Sequence, residues 1–188
     1  MFNPLATFVY DHTNIPSITF GSQKINEPVL LFVRRDVATN IGWVVVLTLL
    51  ALLPTIVKIH GGAISIFLGG DPLAALFNAA ELGLITLLYY MLILYVAFLN
   101  FLKWYFNVLI VTDQRIIDIN FTPPFSWRTA QAQLEEVQDV QHTQAGILGI
   151  IFNYGDVMVQ TAGTKQNIAI SKVPNPNRIH ELIIQNLP

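Results

Sequence analysis

The run LGLITLLYYMLILYVAFLNFL, residues 82–102, contains no charged side chain between Glu81 and Lys103. Its length of about 21 residues matches the roughly 20 that an α-helix needs to cross a bilayer core. The run YFNVLIVTDQRIIDI, residues 105–119, follows almost at once and is rich in β-branched and aromatic side chains. It is interrupted only at the turn-forming residues 112–114, which predicts two strands joined by a tight turn. A membrane helix therefore leads directly into a β-domain.

The sequence before this helix predicts another one. The run VATNIGWVVVLTLLALLPTIV, residues 37–57, is uncharged and long enough to span a bilayer, and Asp36 before it is suited to cap a helix. An Asp-Pro pair then predicts that the second helix begins at Pro72. Residues 37–104 are therefore expected to form a two-helix transmembrane hairpin with an external loop at about residues 58–71.

The composition supports a membrane protein and excludes several functions. Of the 188 residues, 53% are hydrophobic and only 12% are charged, whereas about a quarter of an ordinary soluble domain is charged. The chain has no cysteine, which excludes disulfides, thiol catalysis and thiolate metal sites. Its net charge of −2 gives no support to nucleic-acid binding.

The segment before the first helix, residues 1–36, is predicted to be an N-terminal arm. It contains the apolar run EPVLLFVRR, residues 27–35. This run has the composition of a strand or of a segment lying at the membrane interface, and its pattern alone does not separate the two.

The positive charges predict the orientation of the hairpin. Cytoplasmic flanks of membrane helices carry an excess of Lys and Arg, and both flanks of this hairpin do, while the connection between its helices offers only Lys58. Both termini are therefore predicted to be cytoplasmic, in the inner or plasma membrane. Three cations close to the helices are candidates for contacts with the membrane surface, and they are Arg34, Arg35 and Lys103.

Short β-segments separated by turn signals occupy the rest of the chain. Six strands are predicted, at Tyr105–Val111, Arg115–Asn120, Trp127–Ala132, Val137–Thr143, Val157–Thr161 and Asn167–Ser171. Such spacing is typical of an antiparallel barrel or sandwich. The period then changes, with Asn175 as the expected N-cap and an apolar stripe at Ile179, Leu182 and Ile183. The predicted α+β domain is thus closed at one end by a C-terminal helix.

Several of these turns together resemble the bacterial PH-like domain of small membrane proteins, in which two transmembrane helices precede the domain. The resemblance covers about residues 105–188. It rests on a threonine–x–x–arginine turn, a tyrosine–glycine turn, a threonine–alanine–glycine turn and a proline–asparagine–proline helix start. The residues that carry the turn motifs are Thr112, Arg115, Tyr154, Gly155 and Gly163. Asp113 stands where the family pattern has asparagine, a mild departure because aspartate also tolerates a positive φ. The motifs indicate a fold and no activity.

No sequence feature predicts an enzyme or a cofactor. The four histidines are scattered, and no phosphate-binding, dinucleotide-binding or nucleophile motif is present. Phosphoinositide binding is not expected either. Residues 105–188 contain five Lys and Arg but seven Asp and Glu, whereas anionic headgroups are held by clustered cations.

The sequence therefore predicts a non-enzymatic, membrane-anchored binding or scaffold module. Its expected partners are the lipid bilayer and either a membrane or cytoplasmic protein or another copy of the chain. The open edges of its sheets would offer a surface for pairing. Two alternatives remain open, namely a sensor of lipid headgroups and an accessory subunit of a transport or channel complex.

Overall fold

A computed structural model describes residues 10–11, 23–24, 27–68, 77–162 and 167–187. The described chain divides into two compact units. One consists of residues 41–101. The other combines the described residues up to Asn40 with those from Leu102 onward. Segments on both sides of the predicted hairpin therefore belong to the same unit.

The first unit contains two helices, α1 at Ile41–Leu68 and α2 at Ala79–Phe106, whose last residues extend into the second unit. Both are long and apolar enough to cross a membrane, and none of the most apolar stretch of either is buried within the protein. Helices that expose apolar side chains all round require lipid or protein around them. The two predicted long apolar helices are confirmed, and their length and composition suggest a membrane protein.

Tyr89 joins the two helices at the position where α1 contains Pro54. Proline has no N–H, so Pro54 leaves the carbonyl of Leu50 without its intrahelical donor. The Tyr89 hydroxyl donates to that carbonyl at 2.7 Å. Because a polar group without a partner is costly in a bilayer core, this bond explains how α1 continues past its proline.

The predicted start of the loop between the helices, at residue 58, was wrong. α1 continues through residues 58–68, where a loop was expected, because this segment is mostly apolar and its glycines only weaken a helix. Asn78 caps α2, and Asp71 and Pro72 lie outside the described residues. The Asn78 Oδ1 accepts the Glu81 N–H at 2.9 Å, and the Glu81 Oε2 accepts the Asn78 N–H at 2.9 Å. This reciprocal capping box places Glu81 in the first turn of α2.

The second unit is built from two antiparallel sheets. The larger has the order β1-β2-β3-β4-β5, and its strands are Tyr10–Asp11, Val29–Arg34, Val108–Thr112, Arg115–Thr122 and Ser126–Gln133. The smaller has the order β6-β7-β8, and its strands are Val137–Thr143, Tyr154–Thr161 and Ile168–Pro174. Among the described residues the sheets do not close on each other, so the expected barrel or sandwich is a sandwich.

Strand β2 settles the alternative left open for residues 27–35. It pairs with β3, and Leu31 lies opposite Val111. Both side chains are buried in the core between the sheets. Strand β3 itself begins at Val108 and not at Tyr105, because α2 continues through Phe106.

The C-terminal helix α4, Pro176–Gln185, packs on the core as predicted. Ile179 and Ile183 are completely buried, and Leu182 is half-buried against them. Asn175 is the N-cap residue in the left-handed region, but its side chain does not cap the helix. A short helix that the sequence analysis did not predict, α3 at Ile147–Ile151, lies between β6 and β7.

Candidate functional site

The threonine–x–x–arginine motif forms the turn between β3 and β4. Thr112 is fully buried, and its hydroxyl oxygen accepts the backbone N–H groups of Arg115 at 3.0 Å and Gln114 at 3.3 Å. The same hydroxyl donates to Oε1 of Glu27 at 2.8 Å. Glu27 comes from the segment before α1, so the motif connects two segments that are 85 residues apart.

Glu27 and Arg115 form a bidentate ion pair. The Arg115 Nε donates to Oε1 at 2.8 Å and the Nη2 to Oε2 at 2.9 Å. The backbone N–H of Lys24 also donates to Oε2 at 2.8 Å. The Glu27 side chain is completely buried and that of Arg115 is 13% exposed. Bidentate arginine–carboxylate pairs are among the strongest charge-assisted contacts in proteins.

This pairing fixes the charge on Glu27. The hydrogen bonds from Arg115 lower its pKa to about 2, and those from Lys24 and Thr112 add to the effect, although burial alone would raise it. Glu27 is thus a carboxylate at neutral pH and cannot donate a proton. The sequence analysis identified Thr112 and Arg115 but missed Glu27, because nothing in a local pattern indicates a partner so far along the chain.

An open cleft of about 530 Å³ lies beside this ion pair. Lys24 and Arg115 contribute positive charge to its lining, while Asp113, Glu135 and Glu136 contribute negative charge. Because the charges are mixed and the anions outnumber the cations, the cleft does not resemble a pocket for an anionic headgroup.

The tyrosine–glycine motif also serves the fold. Gly155 lies in β7, where a Cβ atom would collide with the carbonyl oxygen of Thr143 on the neighbouring strand. Asn153, with φ of 52°, makes the turn that precedes β7. Tyr154 is half-buried at the start of the strand. Gly163 lies outside the described residues.

Of the three cations expected at the membrane surface, only Lys103 is exposed. Arg34 is 5% exposed, and its guanidinium lies 4.4 Å from the ring centroid of Tyr105, a cation–π geometry. Arg35 is half-buried, and its carbonyl accepts the Trp104 indole N–H at 2.9 Å. Stacking thus holds the Arg34 guanidinium within the domain, and the Arg35 guanidinium donates to Oδ1 of Asn120 at 3.3 Å. Headgroup contacts by Arg35 and Lys103 stay predictions.

Asp118 is a buried carboxyl group on β4. Burial raises its pKa to about 6, although Arg35, a hydrogen bond from Asn120 and the charge of Arg128 act in the opposite direction. The cavity beside it measures only about 10 Å³. That volume holds one water at most, so Asp118 has no room for a ligand.

Helix α3 carries an exposed apolar surface, which we term the isoleucine patch. It consists of Ile147, Leu148, Ile150, Ile151 and Phe152. The side chains of Ile147, Ile150 and Ile151 are 77%, 70% and 67% exposed. Single exposed apolar side chains are ordinary, but a contiguous group of this kind marks an interaction surface.

The turn between β4 and β5 carries a second apolar surface, which we term the aromatic tip. It consists of Phe125, 93% exposed, and Trp127, 56% exposed, together with Phe106 and Phe121. The ring centroids of Phe121 and Trp127 are 5.5 Å apart, and both rings contact Phe106.

The histidines give no metal site in the described part of the chain, where no group of three or more His, Asp or Glu side chains converges. The rings of His142 and His180 are in contact, with centroids 4.9 Å apart. Asp139, which is near His142 in sequence, instead accepts a hydrogen bond from Gln141 at 2.8 Å.

Comparison with known protein families covers most of the chain. Residues 37–187 match the bacterial PH domain. This range includes α1, α2 and every strand from β3 to β8. No curated protein and no solved structure matches the chain.

Proposed function

Because the chain belongs to the bacterial PH domain family, we propose that it is a membrane-anchored scaffold whose domain self-associates through the isoleucine patch. Domains of this kind are generally non-catalytic binding modules. The proposal adds a location, which is the cytoplasmic face of the cell membrane, and a partner, which is a second copy of the chain. It involves no catalytic residue and no cofactor.

The exposure of the isoleucine patch is the observation that carries this proposal. Ile147, Ile150 and Ile151 all point away from the core, and none is less than 67% exposed. Burying a side chain of this size is worth about 1.5–3 kcal/mol. Because covering the isoleucine patch is favourable by this amount for each side chain, the patch favours association over exposure to water.

The chemistry around the patch favours an identical partner. The stretch QAGILGIIFNYG, residues 144–155, contains no charged side chain. Two copies can therefore face each other across a two-fold axis without like-charge repulsion. Attachment to the same membrane also raises the effective concentration of the two copies, so that a small patch suffices.

The pairing of strands supports a location on one side of the membrane. β2 precedes α1 and β3 follows α2, yet the two strands lie side by side in one sheet. If the hairpin spans the bilayer, both of its flanks must then lie on the same side. The excess of Lys and Arg on those flanks supports the cytoplasm as this side.

Disulfide cross-linking in native membranes tests the self-association. The chain has no cysteine, so a single Ile150→Cys substitution provides a unique thiol at the centre of the patch. We expect oxidation to give a cross-linked dimer of twice the 21.0 kDa chain mass. Glu181→Cys, on the exposed face of α4, is the matched control and is expected to remain largely monomeric.

A second substitution distinguishes specific contact from random collision. Adding Ile147→Asp to the Ile150→Cys chain places a charge in the interface, and we expect at least a tenfold lower dimer yield, which corresponds to about 1.4 kcal/mol. Equal dimer yields at positions 150 and 181 would overturn the proposal. A cross-link only to a different protein would replace the second copy with that partner.

A further inference from the structure

The tip of the β4–β5 hairpin combines strong exposure with an absence of charge. Residues 119–127, INFTPPFSW, contain no charged side chain. Pro123 and Pro124 also lack a backbone N–H, so this turn has two fewer donors to remove from water. Phe125, the last residue of the turn before β5, is 93% exposed. Moving this turn from water into a less polar medium therefore carries a small desolvation penalty.

Aromatic packing connects this turn to the last residue of α2. Phe106 is the last residue of α2. Its ring centroid is 5.6 Å from that of Phe121 and 5.7 Å from that of Trp127. Phe121 and Trp127 are also direct cross-strand partners. The base of the aromatic tip, formed by Phe121 and Trp127, therefore lies at the same level along the axis of α2 as Phe106.

That level corresponds to the membrane interface. The uncharged run of α2 ends at Leu102, four residues before Phe106, and four residues of helix rise about 6 Å. The interfacial zone on each side of a bilayer is also roughly 6 Å thick, since the core is about 30 Å and the whole about 40–45 Å. Phe106 therefore lies within the headgroup region when residues 82–102 occupy the bilayer core.

We propose that the aromatic tip is seated in the lipid interface, with Phe125 and Trp127 as its anchors. The partner is the lipid surface itself, contacted through aromatic rings and not through recognition of a charged headgroup. Tryptophan is enriched at this depth because its ring is apolar and its N–H is polar. This contact would hold the domain against the membrane, and it is independent of the self-association proposed above.

The accessibility of a spin label tests whether the aromatic tip lies in the lipid interface. The measurement uses the full chain reconstituted in lipid nanodiscs. A nitroxide at Ser126→Cys leaves both anchors in place, and Gln133→Cys at the far end of β5 is the control. The two positions are roughly 23 Å apart along the strand. We expect the label at 126 to collide more with oxygen, which partitions into lipid, than with a water-soluble nickel chelate. The label at 133 is expected to show the reverse.

Two further comparisons identify what covers the aromatic tip. Phe125→Ser together with Trp127→Ser should shift the label at 126 to the water-accessible pattern seen at 133. The shielding should be the same in neutral and anionic nanodiscs. Water accessibility at 126 in the unsubstituted chain would overturn the proposal, as would shielding from both reagents, which indicates protein contact. Shielding that requires anionic lipid would show headgroup recognition and would overturn it as well.

Discussion

Replacing Arg115 with alanine is expected to lower the free energy of unfolding by about 3–5 kcal/mol, because it leaves the buried Glu27 carboxylate without its counter-ion. The Glu27 side chain is completely inaccessible to water, and both of its oxygens accept hydrogen bonds from Arg115. Domains of this size have a total stability of about 5–15 kcal/mol, so the loss should be plain. Chemical denaturation of the full chain in mild detergent, followed by tryptophan fluorescence, would measure it.

Two controls show that the loss comes from the ion pair. Arg178→Ala removes an exposed arginine on α4 and is expected to change stability by about 0.5 kcal/mol or less. Glu27→Gln combined with Arg115→Ala removes both charges, and this double variant should be more stable than Arg115→Ala alone. If the Arg115→Ala and Arg178→Ala variants unfold at the same denaturant concentration, the ion pair does not stabilise the domain.

The same contact predicts how stability depends on pH. The pKa of Glu27 is lowered from 4.5 to about 2, so the unfolded chain takes up the proton first as the solution becomes acidic. The contribution of Glu27 is complete above pH 4.5 and is lost as pH falls from there towards 2, by about 3 kcal/mol in total. In the Glu27→Gln chain this part of the acid-induced loss should be absent.

Ile183→Ala is expected to destabilise the domain by about 2–5 kcal/mol, since it opens a cavity in the core beneath α4. Ile183 is completely buried, whereas Leu182 beside it is only half-buried. The sequence pattern alone placed Leu182 and Ile183 in the same apolar stripe and did not distinguish them. The structure makes Ile183 the more sensitive position, and Leu182→Ala should lie at the lower end of the range.

Glu181→Ala is the matched control, because Glu181 lies on the exposed face of the same helix. It should stay within about 0.5 kcal/mol of the unsubstituted chain. Denaturant midpoints of these variants give the comparison. Equal midpoints for Ile183→Ala and Glu181→Ala would mean that α4 does not close the core.

Periodicity and turn chemistry predicted much of this fold. Six strands and the C-terminal helix were expected near their observed positions, because alternating apolar residues and turn residues are local signals. The same signals failed in segments whose composition is compatible with either a helix or a loop. Residues 58–68 continue α1 although their glycines suggested a loop, and Ile147–Ile151 is too short an apolar run to be recognised as a helix.

The connections that complete the domain could not be predicted, because they join distant segments. Glu27 meets Thr112 across 85 residues, and no local pattern encodes that contact. Arg34 was expected to face the membrane, but its guanidinium is buried against Trp104 and Tyr105, which follow the hairpin in sequence. Long-range pairing thus changed the interpretation of residues whose type alone indicated the surface.

Thiol labelling of intact cells tests most directly whether both flanks of the hairpin build one cytoplasmic domain. Single cysteines would replace Lys24 before α1, Glu181 after α2 and Gly69 between the helices, in a chain that has no other thiol. With a membrane-impermeant reagent, we expect labelling at position 69 alone, and labelling at 24 and 181 only after the membrane is opened. Labelling of 24 and 181 in intact cells would place the domain outside, and labelling of just one of them would contradict a domain assembled from both flanks.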